Sequence, residues 1–321
     1  MKILIVDDEP LFIELINGYL KAVGYHDTHN AASGAEALAM IDDSKTPFDC
    51  FLLDIRMPGM SGIELCRNIR AVSGYAATPI VMITSMTEKL YIDDAFKAGA
   101  NDYVIKPIDR LEVSARMGMV EALVAERAQS GLLLKQLDDA ETAGIPKTDF
   151  STPITLQDSD RLMPFSSLEN YTLRLGNIRL FSSTAIGFHI INGAEIYVKT
   201  SALEFSDILT EVALAIDGVI VADNHLMAYA GDGNFCGIFP RLSRISWDEV
   251  EVMINDQISR RLHVLHESSV PTPVISVGSP QSSGLFSFRD PTYMLFQAII
   301  DASSKAVKAT GVTKGRSRAH A

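Results

Sequence analysis

Residues 50–62 read CFLLDIRMPGMSG: four apolar residues, an aspartate, then a run rich in proline and glycine. The tetrad is too short for a helix and is apolar at every position. Strands buried on both faces of a parallel sheet read this way, because neither face meets water. ILIV (3–6), IVMIT (80–84) and YVI (103–105) repeat the pattern. The segments between them carry helical spacing. Phe12, Leu15, Ile16, Tyr19, Leu20 and Val23 recur at i, i+3, i+4 between Pro10, which suits a first helical position, and Gly24, which suits a stop. Ser33 with Glu36, Ser61 with Glu64, and Asp109 with Glu112 read as helix-opening capping boxes. Strand and helix alternate, which predicts an α/β fold with a doubly wound, five-stranded parallel sheet.

In such sheets, function gathers at the carboxyl ends of the strands. Asp7 and Asp8 end the first strand, Asp54 the third, Thr84 the fourth and Lys106 the fifth. One acidic residue after a strand is usually a solvated turn or a helix cap. Three carboxylates, a hydroxyl and an ammonium on one edge make a site the stronger reading. Crowded carboxylates repel, and a hard cation such as Mg²⁺ relieves the repulsion through oxygen ligation. A metal there also neutralises phosphoryl oxygens during in-line transfer. One carboxylate then serves as nucleophile. Lys106 can pair with the new charge, and Thr84 can donate a hydrogen bond to a phosphoryl oxygen.

VDDEP (6–10), LLDIRMPGMSG (52–62), ITS (83–85) and DYVIKP (102–107) resemble the receiver domain of two-component response regulators. The resemblance covers nearly all of residues 1–120. It implies that Asp54 is the phosphoacceptor, supplied by a histidine kinase or phosphotransfer protein. It implies Mg²⁺ held by Asp8 and Asp54, with Asp7 acting through water and the backbone carbonyl of Arg56 as a further ligand. Thr84 and Tyr103 are the implied switch pair, moving inward on phosphorylation. Lys106 contacts the phosphoryl group, and the bond before Pro107 is typically cis in the family. Ser85 departs from the pattern, since many relatives carry a smaller residue there.

The whole chain has 321 residues, which at about 150 per domain suggests two domains. It carries 28 basic and 40 acidic residues, a formal net charge of −12. That balance argues against a chain whose main task is coating nucleic acid, where affinity comes largely from phosphate neutralisation. No apolar run approaches the roughly 18–20 residues a membrane span needs. MKILIVDDEP turns acidic after six residues, unlike a signal peptide. Cys50, Cys66 and Cys236 fit no metal or disulfide spacing, so a reducing cytoplasm is the simplest home.

Residues 121–164 read as a helical connector and linker. Val113, Met117, Val120 and Val124 keep the 4-3-4 spacing of a coiled-coil seam, which Arg127 and Gly131 then break. A helix that dimerises and one that packs within its own chain are both open. The stretch with Pro146, Pro153 and Pro164 has few apolar periods and reads as flexible.

Residues 165–321 mix strand and helix again. IRLFSS (178–183) and PVISVG (273–278) read as strands. SDILTEVALAI (206–216), WDEVEVMINDQISRRL (247–262) and YMLFQAIIDASSKAVKA (293–309) read as helices, with Val250, Met253, Ile254 and Ile258 on one side of the second. LMAYA (226–230) and FCGIF (235–239) flank Gly231-Asp232-Gly233-Asn234, a hairpin signal. From the residues alone, that tetrad means only a tight turn.

Several pieces together resemble a GGDEF domain, in the right order over about 130 residues. TAIGFHIING (184–193) is similar to the DxDxFKxIND stretch, GDGNFCGIFP (231–240) to GGDEF and its following strand, and VISVG to TVSIG. Asp301, Lys308 and Gly311 fall where that family has its last-helix signature. Class III nucleotide cyclases share the general fold. The resemblance implies a two-metal phosphoryl-transfer site, but Thr184 and Gly233 stand at the two carboxylate positions, and neither can replace that charge. Asn234 replaces a further hairpin acid. Asp232 is displaced by one position, and its partner would again be Thr184. His189, His225, His263 and His266 have no metal-ligand spacing, and the basic tail with Lys314, Arg316 and Arg318 reads as a solvated terminus.

The expectation is a cytoplasmic response regulator with a receiver domain over 1–120 and a degenerate GGDEF-like output domain over 165–321. That output would signal by binding a protein or nucleotide, not by catalysis. A homodimer and a downstream protein partner are open; a membrane is not expected, nor is nucleic acid. The alternative is an active nucleotide cyclase, such as a diguanylate cyclase, using Asp232 under receiver control.

Overall fold

The structure, a computed structural model, describes residues 1–321 apart from 87–88, 122–123, 125–148, 157–160, 221–224, 242–245, 266–269, 283–289 and 317–321; at 177–179, 263–265 and 309–316 it describes the backbone path alone. The chain divides into two compact units, Met1–Thr142 and Ala143–Ala321.

The first unit alternates β1 (Ile3–Val6), α1 (Pro10–Ala22), β2 (Thr28–Ala31), α2 (Gly34–Asp42), β3 (Cys50–Leu53), α3 (Gly62–Ala71), β4 (Ile80–Thr84), α4 (Lys89–Lys97) and β5 (Asp102–Ile105). A helix over 110–121, α5, follows. The strands form one parallel sheet in the order β2-β1-β3-β4-β5. β1, β3 and β4 are buried at every position, as their unbroken apolar runs require. β2 is one of the two edge strands, and only its Ala31 is buried. That explains why THNA shows no strand-like apolar run. The strand order reverses between β1 and β3, which opens a crevice at their carboxyl ends.

The helix starts follow the sequence signals. Ser33 and Ser61 accept hydrogen bonds from the Glu36 and Glu64 amides at 3.3 and 3.2 Å, and Asp109 accepts one from Glu112 at 2.8 Å. Gly24 stops α1 with φ +101°. Val113, Met117 and Val120 are buried in the core with Ile3, Val81 and Val104, and Val124 packs on the same cluster. The 4-3-4 stripe is therefore the face that seats α5 on its own sheet. The expected seam along this stretch is used within the unit, and residues 125–148 of the connector lie outside the described residues.

The second unit runs α6 (Phe165–Leu180), β6 (Ser183–Ile190), α7 (Gly193–Lys199), α8 (Ala202–Val219), β7 (Leu226–Gly231), β8 (Asn234–Pro240), α9 (Trp247–Leu265), β9 (Ile275–Val277) and α10 (Tyr293–Arg316). Its sheet is antiparallel, in the order β7-β8-β6-β9. Inserting the first strand between the third and fourth is a split βαβ arrangement. One face carries Ile186, Phe188, Ile190, Tyr229 and Phe235 into a core shared with Leu209, Val212 and Ile216 of α8 and Ile254 and Ile258 of α9. Several alternate positions are small: Ala185, Gly187, Ala228, Cys236 and Ser276. α10 lies close on this floor through Ala298, Ala302 and Ala306. A Cβ on Gly187 would collide with the Ala298 carbonyl.

Three expectations for this half need correction. IRLFSS is not one strand: its first three residues close α6, which bends at Gly176 (φ +63°), and β6 begins at Ser183. Met253 is exposed; the buried stripe of α9 is Val250, Ile254, Ile258 and Leu262. The stretch before 165 is not all free linker. Phe150, Ile154 and Leu162 pack on the core and Leu156 is buried in it. Met227 donates to the Arg161 carbonyl at 2.8 Å and accepts from the Met163 amide at 3.0 Å, so this segment runs beside β7.

Candidate functional site

The carboxyl ends of β1 and β3 place Asp7 and Asp54 on either side of the crevice, one residue past each strand. Both are buried, at 2% and 6% exposure, whereas Asp8 is exposed. The Lys106 ammonium, brought in after β5, stands 2.7 Å from Asp7 Oδ2 and 3.2 Å from Asp54 Oδ1. It also lies 3.8 Å from the centroid of the Phe12 ring. The remaining carboxylate oxygens are held by backbone: Asp7 Oδ1 accepts from the Glu9 amide at 2.9 Å, and Asp54 Oδ2 from the Arg56 amide at 2.7 Å. A Cβ at Gly62 would collide with the Asp54 carbonyl, so α3 can start this close to the aspartate only with glycine there.

Burial pushes the Asp54 carboxyl above the ordinary aspartate range; Lys106 opposes this and the Asp7 charge adds to it. Burial alone would lower the Lys106 ammonium, but its hydrogen bond to Asp7 and the charge of Asp54 raise it above the usual lysine value. Two buried carboxylates thus share one cation, with the exposed Asp8 beside them. The donor set is hard oxygen with excess negative charge, which suits a hard divalent cation. Among the described residues, no three acidic, histidine or cysteine groups stand together as a ready-made metal cage. The fit to Mg²⁺ therefore lies in charge and donor chemistry.

Thr84, the last residue of β4, and Tyr103 in β5 are both fully buried. They meet at a group that sequence reasoning missed. The Met86 amide donates to Thr84 Oγ1 at 3.4 Å, and the Tyr103 hydroxyl donates to the Met86 carbonyl at 2.7 Å. Tyr103 lies inside in this structure. Ser85 is exposed and accepts from the Arg56 guanidinium at 3.2 Å. The Lys106–Pro107 bond is cis.

Comparison with known proteins covers the unit that carries these residues. The response regulator receiver domain model matches residues 3–117. Chemotaxis protein CheY-3 of Vibrio cholerae is 36% identical over 120 residues, 37% of this chain and 91% of that protein. This chain belongs to the response regulator receiver family. DNA-binding response regulator MtrA of Mycolicibacterium smegmatis is 39% identical over 116 residues, and transcriptional regulatory protein ResD of Bacillus subtilis 40% over 129. The chain spans about half the length of these two, 48% and 50%. The likeness covers 36% and 40% of this chain, in keeping with a shared receiver domain.

In the unit after the receiver, the predicted hairpin is present. Asp232 and Gly233 form its two-residue turn at φ +52° and +72°, the left-handed pair a type I′ turn requires. Asp232 is exposed, but its amide donates to the Phe150 carbonyl at 2.9 Å. The Gly233 amide donates to the Tyr229 hydroxyl at 3.0 Å. A Cβ on Gly231 would collide with the Ser151 carbonyl, and Phe150 stacks among Tyr197 and Phe205 beside the turn. Asn234 is buried; its amide donates to the Gly231 and Asp232 carbonyls at 3.1 and 3.3 Å, and its Oδ1 lies 2.8 Å from His189 Nδ1. Thr184 is not part of this group. It pairs with Phe239, whereas the residue of β6 opposite Asn234 is His189. Five residues of strand separate them, about 17 Å at 3.3 Å each. The expected pairing of Thr184 with Asp232 is thus geometrically ruled out here.

Proposed function

We propose that this chain is a response regulator that accepts a phosphoryl group on Asp54 from a phosphohistidine of a histidine kinase or phosphotransfer protein. The observation that carries the proposal is the buried Asp7–Lys106–Asp54 group at the crevice. An Asp54 carboxylate oxygen attacks phosphorus as the phosphorus–nitrogen bond breaks, and the departing imidazole takes up a proton from water. Asp8, Asp54 and the Arg56 carbonyl would hold Mg²⁺, with Asp7 acting through water, and the ion would supply positive charge to offset that of the phosphoryl oxygens. Lys106 turns from shared carboxylate partner to phosphoryl partner. The Thr84 hydroxyl, drawn to a phosphoryl oxygen, leaves the Met86 amide. Tyr103 holds the carbonyl of the same residue, so the change is felt at Met86, ahead of α4.

The second unit is read as a degenerate GGDEF-like output that works by binding in the cytoplasm. Its βααββαβ order and the Gly-Asp-Gly-Asn hairpin support the likeness. Its loss of turnover is supported by the hairpin geometry: the turn amides are held by Phe150 and Tyr229, and His189 stands opposite Asn234. The test is phosphoryl uptake from acetyl phosphate with and without Mg²⁺, followed by incubation with GTP or ATP. Uptake should disappear on chelation, and Asp8→Asn should raise the Mg²⁺ concentration required. No cyclic mononucleotide or dinucleotide should form in either phosphorylation state. Product that vanishes in Asp232→Ala would establish a cyclase instead.

A further inference from the structure

α10 is apolar on two sides. Its inner side, Met294, Leu295, Ala298, Ala302 and Ala306, is buried. Its outer side exposes Tyr293, Phe296, Ile300 and Val307, at 39%, 42%, 53% and 70%. With Ser303 these residues keep an unbroken 3-4-3-4 spacing. Unlike the stripe on α5, this one is exposed, and its spacing suits the seam of two packed helices. The stripe runs about 21 Å at 1.5 Å per residue. Phe165 of α6 holds the Phe296 ring edge-on, with centroids 6.0 Å apart, which makes that ring a fixed anchor.

We propose that this seam binds a second copy of the chain, with the two α10 helices antiparallel about a two-fold axis at Ile300. Size and charge choose the occupant and its direction. A parallel pair would set Phe296 against Phe296 and Ser303 against Ser303. The antiparallel pair sets each Phe296 against Ser303 and Ser304 of the second copy, Tyr293 against Val307, and Ile300 against itself. Large side chains then face small ones, as close packing requires. The exposed Asp290, just before α10, also falls near the exposed Lys308 of the other copy. Lys305 does not contribute, since it is bound to Asp248 and Glu251 at 3.0 Å each.

Sedimentation of the full, unphosphorylated chain across a wide concentration range tests this. Wild type and Asp54→Asn should dimerise alike, because the seam lies outside the receiver. Ile300→Glu should weaken the dimer about 100-fold or more, given two exchanged apolar contacts at the axis. Its far-UV circular dichroism should stay unchanged, as Ile300 is already exposed, and its melting should match wild type at concentrations where both are monomers. Under mild oxidation, Ile300→Cys should cross-link to itself and Phe296→Cys should not. A monomer at all concentrations, or an Ile300→Glu dimer as tight as wild type, would overturn the proposal. Equal cross-linking by Phe296→Cys would overturn its antiparallel form. A wild-type monomer that sediments with anionic phospholipid vesicles would assign the stripe to a membrane surface instead.

Discussion

Asp54 carries an unfavourable charge in the folded chain. Burial and the neighbouring Asp7 both disfavour its ionised form, and Lys106 offsets them only in part. The folded carboxyl therefore titrates above the ordinary aspartate range. Between its unfolded and folded values the folded state binds more protons than the unfolded one, so this group's contribution to stability falls as pH rises through that window. Asp54→Asn should thus raise the receiver's melting temperature near neutral pH, measured by calorimetry; a clear loss of stability would contradict the account. Gly62 is bound into the same site through the Asp54 carbonyl. Gly62→Ala should cost about 1–3 kcal/mol by overpacking, seen as a lower denaturant midpoint, and should slow phosphoryl uptake.

At the scale of elements, legibility followed burial. β1, β3 and β4 are buried throughout, so their sequences are apolar throughout and name themselves. β2 is an edge and left almost no hydrophobic trace. The stripe on α5 was legible as a stripe, but spacing alone does not say whether it meets its own sheet or another helix; the contacts with Ile3 and Val104 decide for the sheet. IRLFSS misled because Ile178 and Leu180 alternate like a strand while finishing a bent helix. The outer edge of β9 shows how polar residues do structural work that no motif advertises. Asn255 donates to the Ile275 carbonyl at 2.9 Å and accepts from its amide at 2.8 Å, while Glu251 accepts from the Val277 amide at 2.8 Å. These contacts close a strand edge that would otherwise invite pairing. Asn255→Ala should cost about 1–3 kcal/mol in chemical denaturation, because two backbone groups lose their partner.

Across the whole molecule, the receiver half was readable because several residue types stand together at successive strand ends. Asp7, Asp54, Thr84 and Lys106 arrive where the strand pattern put them. Met86 was not readable, because it acts through its peptide and any residue supplies that. The second half was less legible for a related reason. Matching TAIGFHIING by residue type made Thr184 the strand residue that partners the hairpin, whereas the β6–β8 register puts His189 opposite Asn234. Likewise, nothing in the residues around Phe150 announced that they would cover the turn. The central claim, that the crevice is a phosphoryl-accepting site centred on Asp54, meets its most direct test in phosphoryl uptake by the full chain. Wild type and Asp54→Asn are each incubated with acetyl phosphate and Mg²⁺, and protein-bound phosphate is counted. The account predicts incorporation in wild type and background levels in Asp54→Asn, with the variant still folded; incorporation at the wild-type level in Asp54→Asn would contradict it.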